Sequence, residues 1–176
     1  MSDRQAIFIT GGAGGMGQAT GKLFAERGWL VGLFDQDEAG LQRAAEEIGS
    51  DLIITGSLDV TSPAEFESSV AAFSERSGGR MDILFNNAGI APGGWFEEMP
   101  LDTVQRIIDI NVMGVIHGIR AALPLLKATA NSLCMSTSSS VATYGHARRV
   151  VYSASKFAVK GLTEALSLEF GFRSAF

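Results

Sequence analysis

Short apolar runs alternate with amphipathic stretches along the whole chain. "AIFIT" at 6–10 is β-rich and closed by glycines, which predicts a buried strand. The stretch 15–28 puts Ala19, Leu23 and Phe24 on one face and stops at Gly28, which predicts a helix. "WLVGLF" (29–34) predicts a second strand, 38–49 an amphipathic helix ended by Gly49, and "LIIT" (52–55) a third strand. In 62–76 a helix is expected with Ser62 as N-cap and Pro63 at the first helical position. "DILFN" (82–86) predicts a fourth strand, 101–128 a long helix disturbed near Pro124, and "SLCMST" (132–137) a fifth strand. A last helix is expected over 151–170.

Five repetitions of strand then helix predict a doubly wound α/β domain, a parallel sheet with helices on both faces, spanning 1–176 as one unit. The loop-like segment "GIAPGGWFEEMP" (89–100) follows a strand end. Ligands of such sheets sit outside the carboxyl ends of strands, so this segment is a candidate wall of the site.

Composition narrows the function classes. Of 176 residues, 46% are hydrophobic and 19% charged, a balance that supports a packed core and excludes wholesale disorder. The net charge of −5, with Arg148–Arg149 as the sole adjacent basic pair, argues against a nucleic-acid binder. One cysteine, Cys134, builds neither a disulfide framework nor a thiolate metal site, and reads as a small buried hydrophobe. Two histidines far apart, His117 and His146, give no metal-ligand spacing. His117 reads as structural, whereas His146 lies in a segment that could touch a substrate. No window is expected to span a membrane, and the apolar run near the N-terminus is too short for a signal peptide. The expected location is the cytoplasm.

The first strand runs straight into "TGGAGGMG" (10–17), where Gly11, Gly15 and Gly17 stand as G-x-x-x-G-x-G and a helix begins at once. A pyrophosphate needs bare backbone to approach, and a helix N-terminus offers unpaired N–H groups and the positive end of its dipole. No Gly-Lys-Ser/Thr follows at the right place, which argues against a nucleotide P-loop. Asp35 lies eighteen residues beyond Gly17, where a carboxylate accepts bonds from ribose hydroxyls and repels a 2′-phosphate. No cation stands in the glycine turn or just after Asp35, so NAD is expected rather than NADP. Asp35 could instead cap the next helix, a role for which Asp37 competes.

"YSASK" (152–156) places a tyrosine and a lysine four positions apart on one helix face. A cation one turn away favours the phenolate, which is what a tyrosine needs to handle a proton near neutral pH. Together with "TGGAGGMG", "NNAG" (86–89), Asn111 in "DINVMG" and the serine run 138–140, this motif resembles the short-chain dehydrogenase/reductase family, in order from residue 6 to about 170. The resemblance implies a Rossmann-type fold and hydride transfer between NAD and a secondary alcohol or ketone. It implies a tetrad of Asn111, Ser139, Tyr152 and Lys156, with Tyr152 as general acid/base and Lys156 on the nicotinamide ribose. Ser138 is the alternative to Ser139, which sits thirteen residues before the tyrosine. Cofactor contacts are implied for Gly11, Gly15, Met16, Gly17, Asp35, Asn87, Ala88, Gly89, Tyr152 and Lys156. Asp59 matches a position that contacts the adenine amino group, or is a helix-capping or loop aspartate. Trp95 and Phe96 line the pocket or simply pack.

Relatives continue past this point into further strands, whereas "FRSAF" (172–176) does not resemble the start of the next one. The expectation is a doubly wound sheet lacking the usual last strands. Two functions follow: an NAD-dependent oxidoreductase, or a shortened, catalytically impaired member that only binds cofactor or a partner. The resemblance also implies self-association through helices 101–128 and 151–170.

Overall fold

The computed structural model of the chain describes residues 4–171. Five strands, β1 (Ala6–Thr10), β2 (Leu30–Asp35), β3 (Ile53–Ser57), β4 (Ile83–Asn86) and β5 (Leu133–Ser136), form one sheet in the order β3-β2-β1-β4-β5. Every pairing is parallel; Ile7 faces Val31 on one side and Ile83 on the other, and Asn86 faces Ser136. The helices are α1 (Gly15–Ala25), α2 (Glu38–Ile48), α3 (Pro63–Ser77), α4 (Leu101–Ile108), α5 (Gly114–Ala128) and α6 (Val150–Gly171). This is the Rossmann-type α/β arrangement expected. The segment 172–176 lies outside the described residues.

Alternation along β1 sorts the two cores. Ala6 and Phe8 enter one with Phe66, Phe73, Leu84 and Ile119; Ile7 and Ile9 enter the other with Val31, Leu33, Leu41 and Ala44. Phe8 stacks on Phe34 at 4.1 Å and meets Phe73 edge-on at 5.4 Å. Below the sheet, Asp82 is buried and accepts from the Ala6 amide at 2.8 Å and from Arg80 Nε and Nη2 at 2.7 Å each. That pins the starts of β1 and β4 side by side. From β1 the chain winds outward through β2 and β3, then returns to add β4 and β5 on the other side. The crevice between the carboxyl ends of β1 and β4 follows from this reversal.

Three expectations need correction. The buried residues of α1 are Gly17, Gly21 and Ala25; of Ala19, Leu23 and Phe24 only Phe24 packs against the core, and Leu23 is 43% exposed. The helix lies so close to the sheet that a Cβ on Gly21 would come within 2.8 Å of Leu33 Cδ2, so small residues form the contact. The helix 101–128 is disturbed at a π turn, Asp109–Met113, and not at Pro124, which α5 passes through. Pro124 is exposed, so water can satisfy the carbonyl its ring leaves unpaired. Finally, Leu101–Ala128 is by length and composition apolar enough to cross a membrane, contrary to the sequence expectation. Here its apolar residues Val115, Ile119, Ala122 and Leu126 are buried in the core with α3 and β4.

Candidate active site

The glycine turn joins β1 to α1 at the mouth of the crevice. Gly11 has φ +68°, and a Cβ there would press on Asn87 Nδ2 and Ala88 Cα at 2.9 and 3.0 Å. Gly14 starts α1 with no side-chain cap, and the first turn carries no acidic residue. The N-terminal N–H groups are thus open to an anion. A Cβ on Gly15 would meet open space. A cleft of about 300 Å³ begins here, lined by Gly11, Gly15, Met16, Asn87, Ala88 and Gly89 and reaching Asp35 at its far end. Leu58, Val60 and Ile110 give it apolar walls. Gly17 is buried and does not line the cleft; a Cβ there would collide with the Gly11 carbonyl, so this glycine permits the turn itself.

Asp35 accepts from the amides of Ala13 and Asp37 at 3.1 Å each, which orients its carboxylate into the cleft. The cap of α2 is Asp37, which accepts from Gly40 N at 2.9 Å. Asp59 accepts from Thr61 N and Oγ1 at 2.9 and 2.7 Å, a local turn, and lines an adjoining hollow with Gln36 and Arg106. Asn87 bridges three segments: Nδ2 donates to Thr10 O at 3.0 Å and Gly11 O at 3.3 Å, and Oδ1 accepts from Thr137 Oγ1 at 3.4 Å.

Across the crevice the π turn buries Asn111 completely. Its amide accepts from Ile90 N and donates to Ile90 O, both at 2.9 Å, and donates to Ser155 Oγ at 3.1 Å. Ser155 in turn donates to the Tyr152 carbonyl at 2.7 Å. Lys156 is 3% exposed; Nζ donates to Thr137 O at 2.7 Å and lies 5.7 Å from the Tyr152 ring centroid. Burial pushes the Lys156 ammonium below its ordinary 10.5. Gly89 is where the two halves meet: a Cβ there would lie 3.2 Å from Asn111 Oδ1 and 3.6 Å from Lys156 Nζ. Ser139 opens the turn Ser140–Ala142, which packs on α6, and its hydroxyl accepts from Val141 N at 3.4 Å. Ser138 Oγ donates to the Lys156 carbonyl at 3.3 Å.

Other candidates fall outside this constellation. His117 Nδ1 lies 3.0 Å from Val60 O, a brace between α5 and the loop after β3. His146 is exposed, with Nδ1 2.8 Å from Ala147 O. Trp95 and Phe96 are 54% and 62% exposed and do not line the cleft. Cys134 is half-buried on β5, and burial pushes its thiol up to about 11. Sequence reasoning missed Thr10, Thr137 and Ser155. Thr10 is 2% exposed and its hydroxyl accepts from both Asn87 N and Ala88 N at 3.0 Å. Its only signal was a hydroxyl at the end of an apolar strand.

Comparison with known proteins agrees with the geometry. The family model for short chain dehydrogenase matches residues 5–173. A 2,5-dichloro-2,5-cyclohexadiene-1,4-diol dehydrogenase of Sphingobium indicum is 36% identical over 94% of this chain and 67% of its own length. A 3alpha-hydroxysteroid dehydrogenase of Mediterraneibacter gnavus is 34% identical over 97% of this chain and 70% of its own. A short chain dehydrogenase/reductase from Burkholderia phymatum, solved in complex with NAD, superposes with TM-score 0.93 at 30% identity, covering 98% of this chain and 62% of that one. The chain thus spans about two thirds of the length of these relatives. With the family's motifs, its sheet order and its crevice all present in one fold, the chain belongs to the short-chain dehydrogenase/reductase family.

Proposed function

We propose that this chain is an NAD-dependent oxidoreductase that interconverts a secondary alcohol and a ketone, with Tyr152 as general acid/base. The observation that carries this reading is the placement of Lys156. A nearly fully buried ammonium stands one helical turn from Tyr152, beside Gly89 and Asn111, at the sheet's topological crevice. A purely structural fold has little reason to bury a cation there without a carboxylate partner. The uncapped N-terminus of α1, the open space at Gly15 and the inward carboxylate of Asp35 fit a dinucleotide. A nicotinamide bound there supplies the acceptor or donor of the hydride.

The protein's own part is proton handling and orientation. Tyr152 exchanges a proton with the substrate oxygen, and Lys156 presents positive charge to the phenol as that proton leaves. Ser139 hydrogen-bonds the same oxygen; Ser138 is already engaged with the Lys156 carbonyl, which supports this choice of serine. Asn111 holds Ile90 and Ser155, so the cofactor side and the tyrosine helix keep one register. Asp35 favours NAD by repelling a 2′-phosphate. The relatives named for a cyclohexadiene diol and a hydroxysteroid favour secondary alcohols on alicyclic rings as the first substrates to try.

The test is NADH and NADPH binding by fluorescence, with NADH formation over a panel of cyclic alcohols. NADH is expected to bind more tightly than NADPH, and Tyr152→Phe to lower kcat by about 10²–10⁴-fold with NADH affinity retained. NADH binding with no Tyr152-dependent turnover would replace this reading with that of a cofactor-binding module.

A further inference from the structure

The segment after β4 is rich in glycine and proline, and, apart from the bond from Glu98 N to the Trp95 carbonyl at 3.1 Å, the ties that hold its residues 90–95 come from outside it. Ile90 is held at both its N–H and its carbonyl by Asn111. The Ala91 carbonyl accepts from Arg149 Nη1. Gly94 N donates to the Arg148 carbonyl at 3.0 Å. The Arg148 guanidinium lies over the Trp95 ring, 5.3 Å from its centroid. Gly93 makes room: a Cβ there would stand 3.2 Å from Arg149 Cζ and Nε, and 3.2 Å from the Arg148 carbonyl. Arg148 itself has φ +63°, left-handed backbone that a long L side chain rarely adopts. The pair is anchored in turn to the helix of the tyrosine, because Ser153 N donates to the Arg149 carbonyl at 2.7 Å and Arg149 N to His146 O at 3.1 Å. The three ion pairs found among the described residues involve neither arginine.

We propose that Arg148 and Arg149 form a clasp that holds loop 90–95 as a preformed wall on the substrate side, with Arg149 as a positioning residue. The wall is thereby carried by the segment that leads into Tyr152, so that loop and proton donor move as one body. The catalytic consequence rests on the oxidoreductase reading above; the clasp itself does not. The clasp bonds neither the glycine turn nor Asp35, so cofactor affinity is expected to stay unchanged when it is removed.

The chain has two tryptophans, so a Trp29→Phe background leaves Trp95 as the sole indole reporter. In that background Arg149→Ala and Arg148→Asn are compared with their parent for acrylamide quenching of Trp95, NADH affinity and alcohol oxidation. Asparagine at 148 tolerates the left-handed backbone and removes the guanidinium with its alkyl stem, while the main-chain carbonyl that holds Gly94 N stays. The expected result is quenching raised about twofold and KM raised about tenfold, with kcat within about threefold and NADH affinity unchanged. Arg149→Lys, which can still donate to the Ala91 carbonyl, should recover part of the KM. Unchanged quenching and KM in folded Arg149→Ala would overturn the clasp; should that variant fail to fold, the same outcome in Arg148→Asn would do so. Raised quenching with intact NADH binding, in a parent that oxidises no alcohol, would uphold the clasp while sinking the oxidoreductase reading.

Discussion

Lys156 shows how one buried cation couples stability to pH. Its ammonium is desolvated in the folded chain and hydrated in the unfolded one, which lowers the folded pKa below 10.5. Between that lowered value and 10.5 the unfolded chain binds more protons, so folding stability rises with pH across the window. Lys156→Met removes this titration. The Tm of the unmodified chain, measured relative to Lys156→Met, should therefore climb as pH is raised from neutral toward 10.5; a flat difference would contradict the buried charge. The serines give a second comparison. Ser139→Ala should lower kcat/KM by about 10²–10³-fold, the usual cost of one donor to a reacting oxygen. Ser138→Ala loses only a bond to the Lys156 carbonyl and should stay within about tenfold of the parent.

Among the elements, the small residues of the helices decide how closely they approach the sheet. Gly118 on α5 faces the Asn86 amide oxygen, which has no hydrogen-bond partner among the described residues, and a Cβ there would collide with it and come within 2.8 Å of Phe66 Cζ. Gly118→Ala should destabilise the chain by about 1–3 kcal/mol in denaturant melts, through overpacking of an otherwise rigid site. The π turn Asp109–Met113 has a different purpose. A regular helix interior has no place for an asparagine amide with three side-chain bonds, and the extra residue in the turn carries Asn111 inward.

For the whole molecule, part of the apolar exposure lies on β5 and on the last helix, α6. Leu133 and Met135 on β5, and Phe157 and Leu168 on α6, are each more than 40% exposed. The self-association expected through α4–α5 and α6 would cover the helix part of this surface. Phe157→Arg should shift elution on size-exclusion chromatography toward the monomer without lowering Tm by more than about 2 °C. An unchanged elution volume would place the contact elsewhere.

Continuous apolar runs and period-3.6 patterning, together with the glycine turn, made most of the strand and helix order legible in the sequence, because burial on both faces of a parallel sheet demands continuous apolar runs. The spacing of Tyr152 and Lys156 was equally local, since a helix turns residues four apart onto one face. What lay beyond the sequence was set by contacts between segments far apart in the chain. The buried face of α1 was misjudged because its contact is made by absent side chains, which no apolar pattern records. The helix break was placed at Pro124, where the local chemistry is strongest, while the π turn lies at Asn111, whose amide bonds the distant Ile90 and Ser155. Thr10, Thr137 and Ser155 acquire roles only when β1, β5 and α6 converge on one crevice. Local steric and solvation preferences write the elements, and long-range packing selects which polar groups meet.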